Sequence, residues 1–283
     1  MTDPQRADSQ RADSQRSDPA NNSGSALSAV SFKQVLPGIV PFIVIIAIWY
    51  ICANNLDIPP YKLPPIGQVL TRTFNMVADG SLLEHSWESL KRLMIGFVIG
   101  NGLAIPLGFA IALNRHVSDL FRPILTFFQS IAGIAWVPLA VVWFGVGVAP
   151  VVFVIANTIF FSSIYNVVTG VEAIPRTLRR AVRSHGGSGL QFYVELIFPG
   201  ALIHILLGLR TSVSYGLRAM IGAELIAGSD GLGFLIIDAT HTFATDIVFM
   251  GMIIIALLWL ALDRWVFRPL ERRTVVRWGL MHH

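Results

Sequence analysis

From Leu93 to Leu113 the chain runs 21 residues without a charged side chain. It repeats this over Leu36–Ala53, Ile124–Val146 and Val151–Val171. A helix needs about 20 consecutive apolar residues to cross the hydrocarbon of a bilayer, so these runs predict membrane spans. Composition agrees: 54% of the residues are hydrophobic and 13% charged, where a soluble domain carries about a quarter charged. Two more apolar segments, Pro199–Ala227 and Ile247–Val266, bring the count to six. The expected class is an all-α, polytopic membrane protein occupying residues 31–280, with spans at about 36–53, 93–113, 124–146, 151–171, 199–227 and 247–266.

Other parts of the chain fall around these spans. Residues 1–30 are polar, and Arg6-Ala7-Asp8-Ser9-Gln10 recurs as Arg11-Ala12-Asp13-Ser14-Gln15; with little to bury, they predict a disordered tail. Leu36–Ala53 is too long for a signal-peptide core and no A-x-A site closes it, so it reads as an uncleaved first helix. After the prolines of residues 59–65, Val69, Leu70, Thr73, Phe74 and Val77 are spaced for a short interfacial helix. Gly96, Gly100, Gly102 and Gly108 offer a small-residue face for close helix packing. Asn114, Arg115, His116 and Arg122 read as a basic loop, Gly133 and Pro138 as a break in the third span, and Gly145-Val146-Gly147 and Gly228–Gly233 as turns. Cys52 is the single cysteine and permits no internal disulfide.

The formal charge of +4 does not point to nucleic acid, because the basic residues lie between apolar segments, where bilayer orientation accounts for them. Six spans put both termini on one side. The tails and the loops after spans two and four hold Arg6, Arg11, Arg16, Lys33, Arg115, Arg122, Arg176, Arg179, Arg180, Arg183, Arg268, Arg272, Arg273 and Arg277; the opposite side holds Lys62, Arg72, Lys91 and Arg92. This places both termini in the cytoplasm. Lys91 and Arg92, at the mouth of span two, are expected to snorkel to the headgroups.

Between spans four and five, residues 172–198 are too polar to cross. Arg176, Arg179, Arg180 and Arg183 share one helical face, Leu190, Tyr193, Val194 and Ile197 share another, and Gly186-Gly187-Ser188-Gly189 frees the backbone for a turn between them. The prediction is helix–turn–helix on the cytoplasmic side.

Ala181, Gly186 and Pro199, the last two thirteen residues apart, resemble the EAA loop of permease subunits in binding-protein-dependent ABC importers. Arg180 stands where that pattern has glutamate, and Val182 replaces its second alanine. Leu63-Pro64-Pro65, Ser89-Leu90-Lys91-Arg92, Trp143-Phe144-Gly145-Val146-Gly147, Phe198–Leu202, Gly208-Leu209-Arg210, Ala223-Glu224-Leu225-Ile226 and Gly231-Leu232-Gly233 resemble the nitrate/sulfonate/taurine branch. Ala244-Thr245-Asp246 and Leu270–Arg273 with Trp278 are similar to its taurine-type members. The resemblance spans residues 36 to 280. It implies a type I, MetI-like permease fold, a homodimer in the bacterial inner membrane, two copies of a separate ATPase, and a periplasmic or lipid-anchored solute-binding protein. It also implies that the 172–198 loop couples to the ATPase through Arg180, Ala181, Gly186, Gly189, Leu190, Tyr193, Val194, Ile197 and Pro199. Arg180 either pairs with acidic residues of the ATPase or remains solvated. The implied cargo is a small anionic or zwitterionic solute such as nitrate, a sulfonate or taurine.

Within the fifth span Arg210, Arg218 and Glu224 are ionisable, which marks candidate positions on a substrate pathway or gate. Counted from Pro199, Arg210 falls near mid-bilayer and Arg218 near the outer face. Arg210 either attracts an anion or bonds to neighbouring helix carbonyls; Arg218 and Glu224 read as interface positions. His85 with Glu84 and Glu88, and Asp238 with His241, fall short of a metal set, and His204 reads as a packed residue. There is no G-x-x-x-x-G-K-[ST], so ATP phosphates must be held by another chain. No cofactor is implied, and partners are protein and membrane lipid, not nucleic acid. The competing readings are an ATP-independent secondary carrier or channel, which would show two related halves, and a membrane-embedded hydrolase, for which Ser162, Ser163 and Tyr165 have no base close in sequence.

Overall fold

The computed structural model describes residues 32–56, 58–184 and 192–271. The expected N-terminal tail, Gly186, Gly189, Leu190 and the basic C-terminal tail lie outside them. No strand occurs among the described residues, as the apolar runs predict. Two units are distinct, residues 1–56 and 57–283. The first holds α1, Phe32–Asn55, whose side chains Phe42 to Ile46 are largely exposed, as suits a lipid-facing helix.

The second unit begins with α2, Ile66–Ala78. It buries Val69 and leaves Leu70, Phe74 and Val77 exposed, the one-sided apolar helix that the spacing predicts. α3 follows from Ser81 to Leu113. In the linker, Asp79 accepts hydrogen bonds from the Ser81 hydroxyl (2.7 Å) and amide (3.0 Å), which hold its carboxyl below the usual carboxylate range. α3 starts twelve residues before the expected span. Glu84, Glu88, Lys91 and Arg92 read as loop by their charge, but none of them opposes helix formation, and the helix continues through them.

α4 covers Arg115–Gln129, so the expected basic loop is helical. Asn114 makes this possible by accepting a hydrogen bond from the His116 amide at the helix start (3.0 Å). A 3₁₀ turn at Gly133–Trp136 and α5, Val137–Phe144, come next. α4 and the 133–144 segment meet at 91°, so the third expected span is a bent pair. The break needs glycine, because a Cβ on Gly133 would lie 2.2 Å from the Thr158 hydroxyl.

α6 (Val148–Glu172) and α7 (Arg176–Ser184) lead to a π turn at Tyr193–Ile197 and α8, Phe198–Ala227. The π turn and α8 form one continuous helix of 35 residues. Pro199 has no amide hydrogen for the Glu195 carbonyl, and its ring crowds that carbonyl; the backbone widens there instead of stopping. The same device recurs after α9 (Leu232–His241) and α10 (Thr245–Leu262), where the π turn Asp263–Phe267 precedes Pro269 in α11, Arg268–Glu271.

Four helices among the described residues are long and apolar enough to cross a membrane, or five if the bent pair is one span. The expected six would also need α1, whose apolar stretch from Val40 to Asn55 is shorter.

The core forms where α6 packs between α3 and α8. Leu93, Ile155, Ile159, Val213, Met220 and Ala223 are buried at its centre. Gly96, Gly100 and Gly108 let α3 approach: a Cβ on Gly100 would lie 2.7 Å from the Ala156 carbonyl oxygen. Gly102, expected on the same face, points into open space. Gly100→Leu is expected to destabilise the protein by about 1–3 kcal/mol through overpacking against an immovable carbonyl. Gly102→Leu is expected to be neutral; thermal melts of both variants check the pair.

Candidate functional site

Three places gather the polar and charged side chains of this apolar molecule. The first is the cytoplasm-assigned segment. On α7, Arg176 and Arg180 are exposed. Arg179 leaves the expected four-cation face to donate to the Val171 carbonyl at the end of α6, capping carbonyls that the helix cannot satisfy itself. Ala181 is exposed, and Ala181 and Ser184 share a turn in which the Ser184 hydroxyl donates to the Ala181 carbonyl (2.8 Å). Across the undescribed residues, Phe192, Leu196 and Ile197 are buried against Val167, Val171 and Ala201, whereas Tyr193 and Val194 are exposed. Leu190 is outside the described residues, and the wide π turn separates Ile197 from the Tyr193/Val194 face that helical spacing predicts it shares. Tyr193, its ring edge-on to Phe192, and Val194 are therefore exposed on a helix whose next turn is clamped in the core.

The second place lies at the other end of α8. Glu224, with no exposed surface, is enclosed by four elements. Its carboxylate accepts from the Ser89 hydroxyl (2.9 Å), an Arg92 guanidinium nitrogen (3.1 Å) and the Gly233 amide (2.9 Å). Arg92, 1% exposed, also donates to the Asp230 carbonyl (2.7 Å) and pairs with the Asp230 carboxylate. Ser89 in turn accepts from the Leu232 amide (2.8 Å), and His85 Nδ1 from the Gly231 amide (3.2 Å). Gly231 has φ +102°, and a Cβ there would lie 2.6 Å from the Glu224 carboxylate, so the turn is glycine because the carboxylate fills the space. The snorkelling expected of Arg92 and the interface position expected of Glu224 are thus both replaced by a buried pair. Lys91 does reach outward, pairing with Glu88 at 2.6 Å. The Gly145–Gly147 turn joins this end through the Gly147 amide, which donates to the Ala227 carbonyl (2.9 Å).

Ser89–Arg92, Ala223–Ile226 and Gly231–Gly233 are separate motifs in the sequence; the fold makes them one cluster. A signal was present. A membrane arginine and a membrane glutamate, each costly alone, are natural partners.

The third place concerns the two arginines of α8. Arg210 pairs with Asp263 at 2.6 Å and lies 3.6 Å from Glu271; Asp263 also holds Arg268 at 3.1 Å. The partners of Arg210 are these carboxylates and not the helix carbonyls that were its alternative. Arg218 sits nine residues before Ala227, about 14 Å from that end of α8 by the helical rise. It is exposed, its guanidinium 5.7 Å from the Tyr215 ring centre. A cavity of about 520 Å³ opens there between α6, α8 and the break after α4. His204, expected to be packed, is exposed beside Gly170.

Residues 104–275 match the family described as binding-protein-dependent transport system inner membrane component. The chain is 33% identical over 246 residues to the taurine transport system permease protein TauC of Escherichia coli (strain K12), covering 85% of this chain and 89% of TauC. It is 30% identical over 250 residues to SsuC of the same strain, named for aliphatic sulfonates transport, covering 88% and 94%. Among solved structures, inward-facing conformations of the MetNI methionine ABC transporter share the fold, with a TM-score of 0.56 at 20% identity over 67% of this chain and 95% of that one. The helices long and apolar enough to cross a membrane and these matches converge. The chain belongs to the binding-protein-dependent transport system inner membrane components: it is the multi-pass permease subunit of an ABC importer, it works with a binding protein, and ATP is hydrolysed on a separate subunit.

Proposed function

We propose that the protein imports a small anionic or zwitterionic solute, a sulfonate such as taurine or an oxyanion such as nitrate, by alternating access. It acts as a homodimer on two ATPase copies, with both termini cytoplasmic and a periplasmic or lipid-anchored binding protein delivering the solute. The names of TauC and SsuC support the sulfonate class. One observation carries the mechanism: exposed Tyr193 and Val194 begin an unbroken 35-residue helix that ends at the buried Glu224 cluster. A helix of that length spans about 50 Å, so a push at its cytoplasmic end displaces the far end as a rod.

In this reading Tyr193 and Val194 meet the ATPase, together with Arg180 and Ala181 and with Gly186, Gly189 and Leu190, which lie outside the described residues. Ile197 and Pro199 anchor and shape the lever's root. ATP binding draws the two ATPases together, the levers follow, and the membrane cavity opens outward to receive solute; hydrolysis returns it inward. Arg210 and Glu224 tie the rod to the last helix and to α3, and Arg218 faces the solute path.

Quantitative pull-down tests the assembly. A tagged copy, expressed with an untagged copy and the ATPase, is expected to retain the untagged copy, and the ATPase in an amount equal to the two permease forms together. Recovery of a lone permease with no ATPase would overturn the reading.

A further inference from the structure

Two cavities lie in succession along α6, and each has one arginine. The larger, about 520 Å³, takes its walls from the end of α4, the break, α6 and α8; a small organic anion fits such a volume. The smaller, about 230 Å³, runs along α4 and α6 to the Arg122–Glu172 ion pair. Gln129 and Phe161 line both, so they form the wall between them. Phe161 stacks on Phe128, ring centres 5.8 Å apart and planes within 15°, which closes that wall with a pair of aromatic faces.

The arginines differ. Arg92, Arg122 and Arg210 each pair with a carboxylate. Among the described residues Arg218 has no carboxylate partner, only the Tyr215 ring. A cation at membrane depth is tolerated where it faces water or a compensating charge, and the cavity supplies the first and lacks the second. No acidic side chain lines it, and Gln129, Asn157 and Ser162 add neutral polar groups. This is the chemistry of an oxyanion site: one guanidinium without a carboxylate partner among the described residues, which matches a planar or tetrahedral oxyanion with paired donors, and no acidic side chain in the lining. Tyr215, Phe128 and Phe161 offer apolar and π surface to the remainder of the solute, including the ammonium of a zwitterion.

We propose that the Arg218 cavity is a transit chamber holding one transported oxyanion, and that the solute leaves it past Gln129 and Phe161 toward an inner exit latched by Arg122 and Glu172. This rests on the reading of the solute as an anion. The latch keeps the second cation neutralised until it opens, so solute is held by Arg218 alone while the route inward is shut.

The test uses the complete reconstituted importer in which Cys52→Ser removes the native thiol and Ser162→Cys places a thiol in the chamber wall. Ethanesulfonate is expected to slow maleimide alkylation of that thiol, and equimolar ethylamine is not. Arg218→Gln is expected to remove the protection and Arg218→Lys to retain part of it. In the parent importer, Arg218→Gln is expected to lower the maximal uptake of ethanesulfonate about tenfold, the effect of one charged hydrogen bond, with ATPase retention and melting temperature unchanged because the side chain is exposed. Equal protection and equal uptake in Arg218→Gln would overturn the chamber alone. An importer with intact Arg218 that takes up none of ethanesulfonate, taurine and nitrate would overturn the anion reading, and the chamber with it.

Discussion

Glu224→Ala is expected to lower the stability of the solubilised protein by about 1–3 kcal/mol, because it removes one of the two carboxylates that pair with the buried Arg92 and leaves buried donors without an acceptor. The loss falls on Arg92, which has 1% of its surface exposed and depends on the carboxylates of Glu224 and Asp230. It also strips the Ser89 hydroxyl and the Gly233 amide of their acceptor, so α3, α8 and the turn before α9 loosen together. Glu224→Gln keeps an acceptor and is expected to cost less. The double variant Arg92→Met with Glu224→Leu is expected to cost clearly less than the sum of the two single losses, because no buried charge is stranded. Denaturant titration followed by tryptophan fluorescence measures these variants together with the single Arg92→Met and Glu224→Leu. A Glu224→Ala protein as stable as the parent would remove this cluster from the account.

The second large effect concerns transport and leaves stability alone. Tyr193 and Val194 are 42% and 59% exposed, and exposed substitutions ordinarily change stability by less than about 0.5 kcal/mol. Val194→Glu places a charge where an apolar partner surface is proposed to sit. Desolvating that charge without a counter-ion costs a binding hot spot's worth, about 2 kcal/mol or more. ATPase retention is therefore expected to fall at least about tenfold, and ATP-driven uptake with it, while the melting curve stays that of the parent. Tyr193→Ala is expected to act in the same direction and less strongly. Arg180→Glu places glutamate where the EAA pattern that the loop resembles has it; unchanged ATPase retention in that variant would mark Arg180 as a solvated side chain. If Val194→Glu retains both the ATPase and uptake, the exposed pair is not the contact.

Much of this architecture was legible because lipid imposes a simple demand on sequence. Leu93–Leu113 and Val151–Val171 read as spans, and both lie inside observed helices, α3 and α6. Helix ends were harder to place. Charge reads as loop, yet Arg92 is buried because its partners, Glu224 and Asp230, lie 132 and 138 residues away in sequence. No local pattern contains that information. The basic stretch after Leu113 became helix through a cap at Asn114, a single side-chain contact. The root of the lever misled for a different reason. A period of 3.6 groups Ile197 with Tyr193 and Val194, but Pro199 widens the backbone into a π turn and buries Ile197 while the other two stay exposed. The break near Gly133 was visible as a residue type, and its purpose was not, since the cavity beside it is built by α6 and α8.

Accumulation in sealed vesicles tests the central claim most directly. With permease, ATPase and loaded binding protein reconstituted together, labelled ethanesulfonate or taurine is predicted to accumulate against its gradient only when ATP reaches the ATPase. Omitting ATP, the ATPase or the binding protein is predicted to abolish it. Accumulation that persists without ATP, or that follows an imposed ion gradient, would make the chain a secondary carrier and contradict the account.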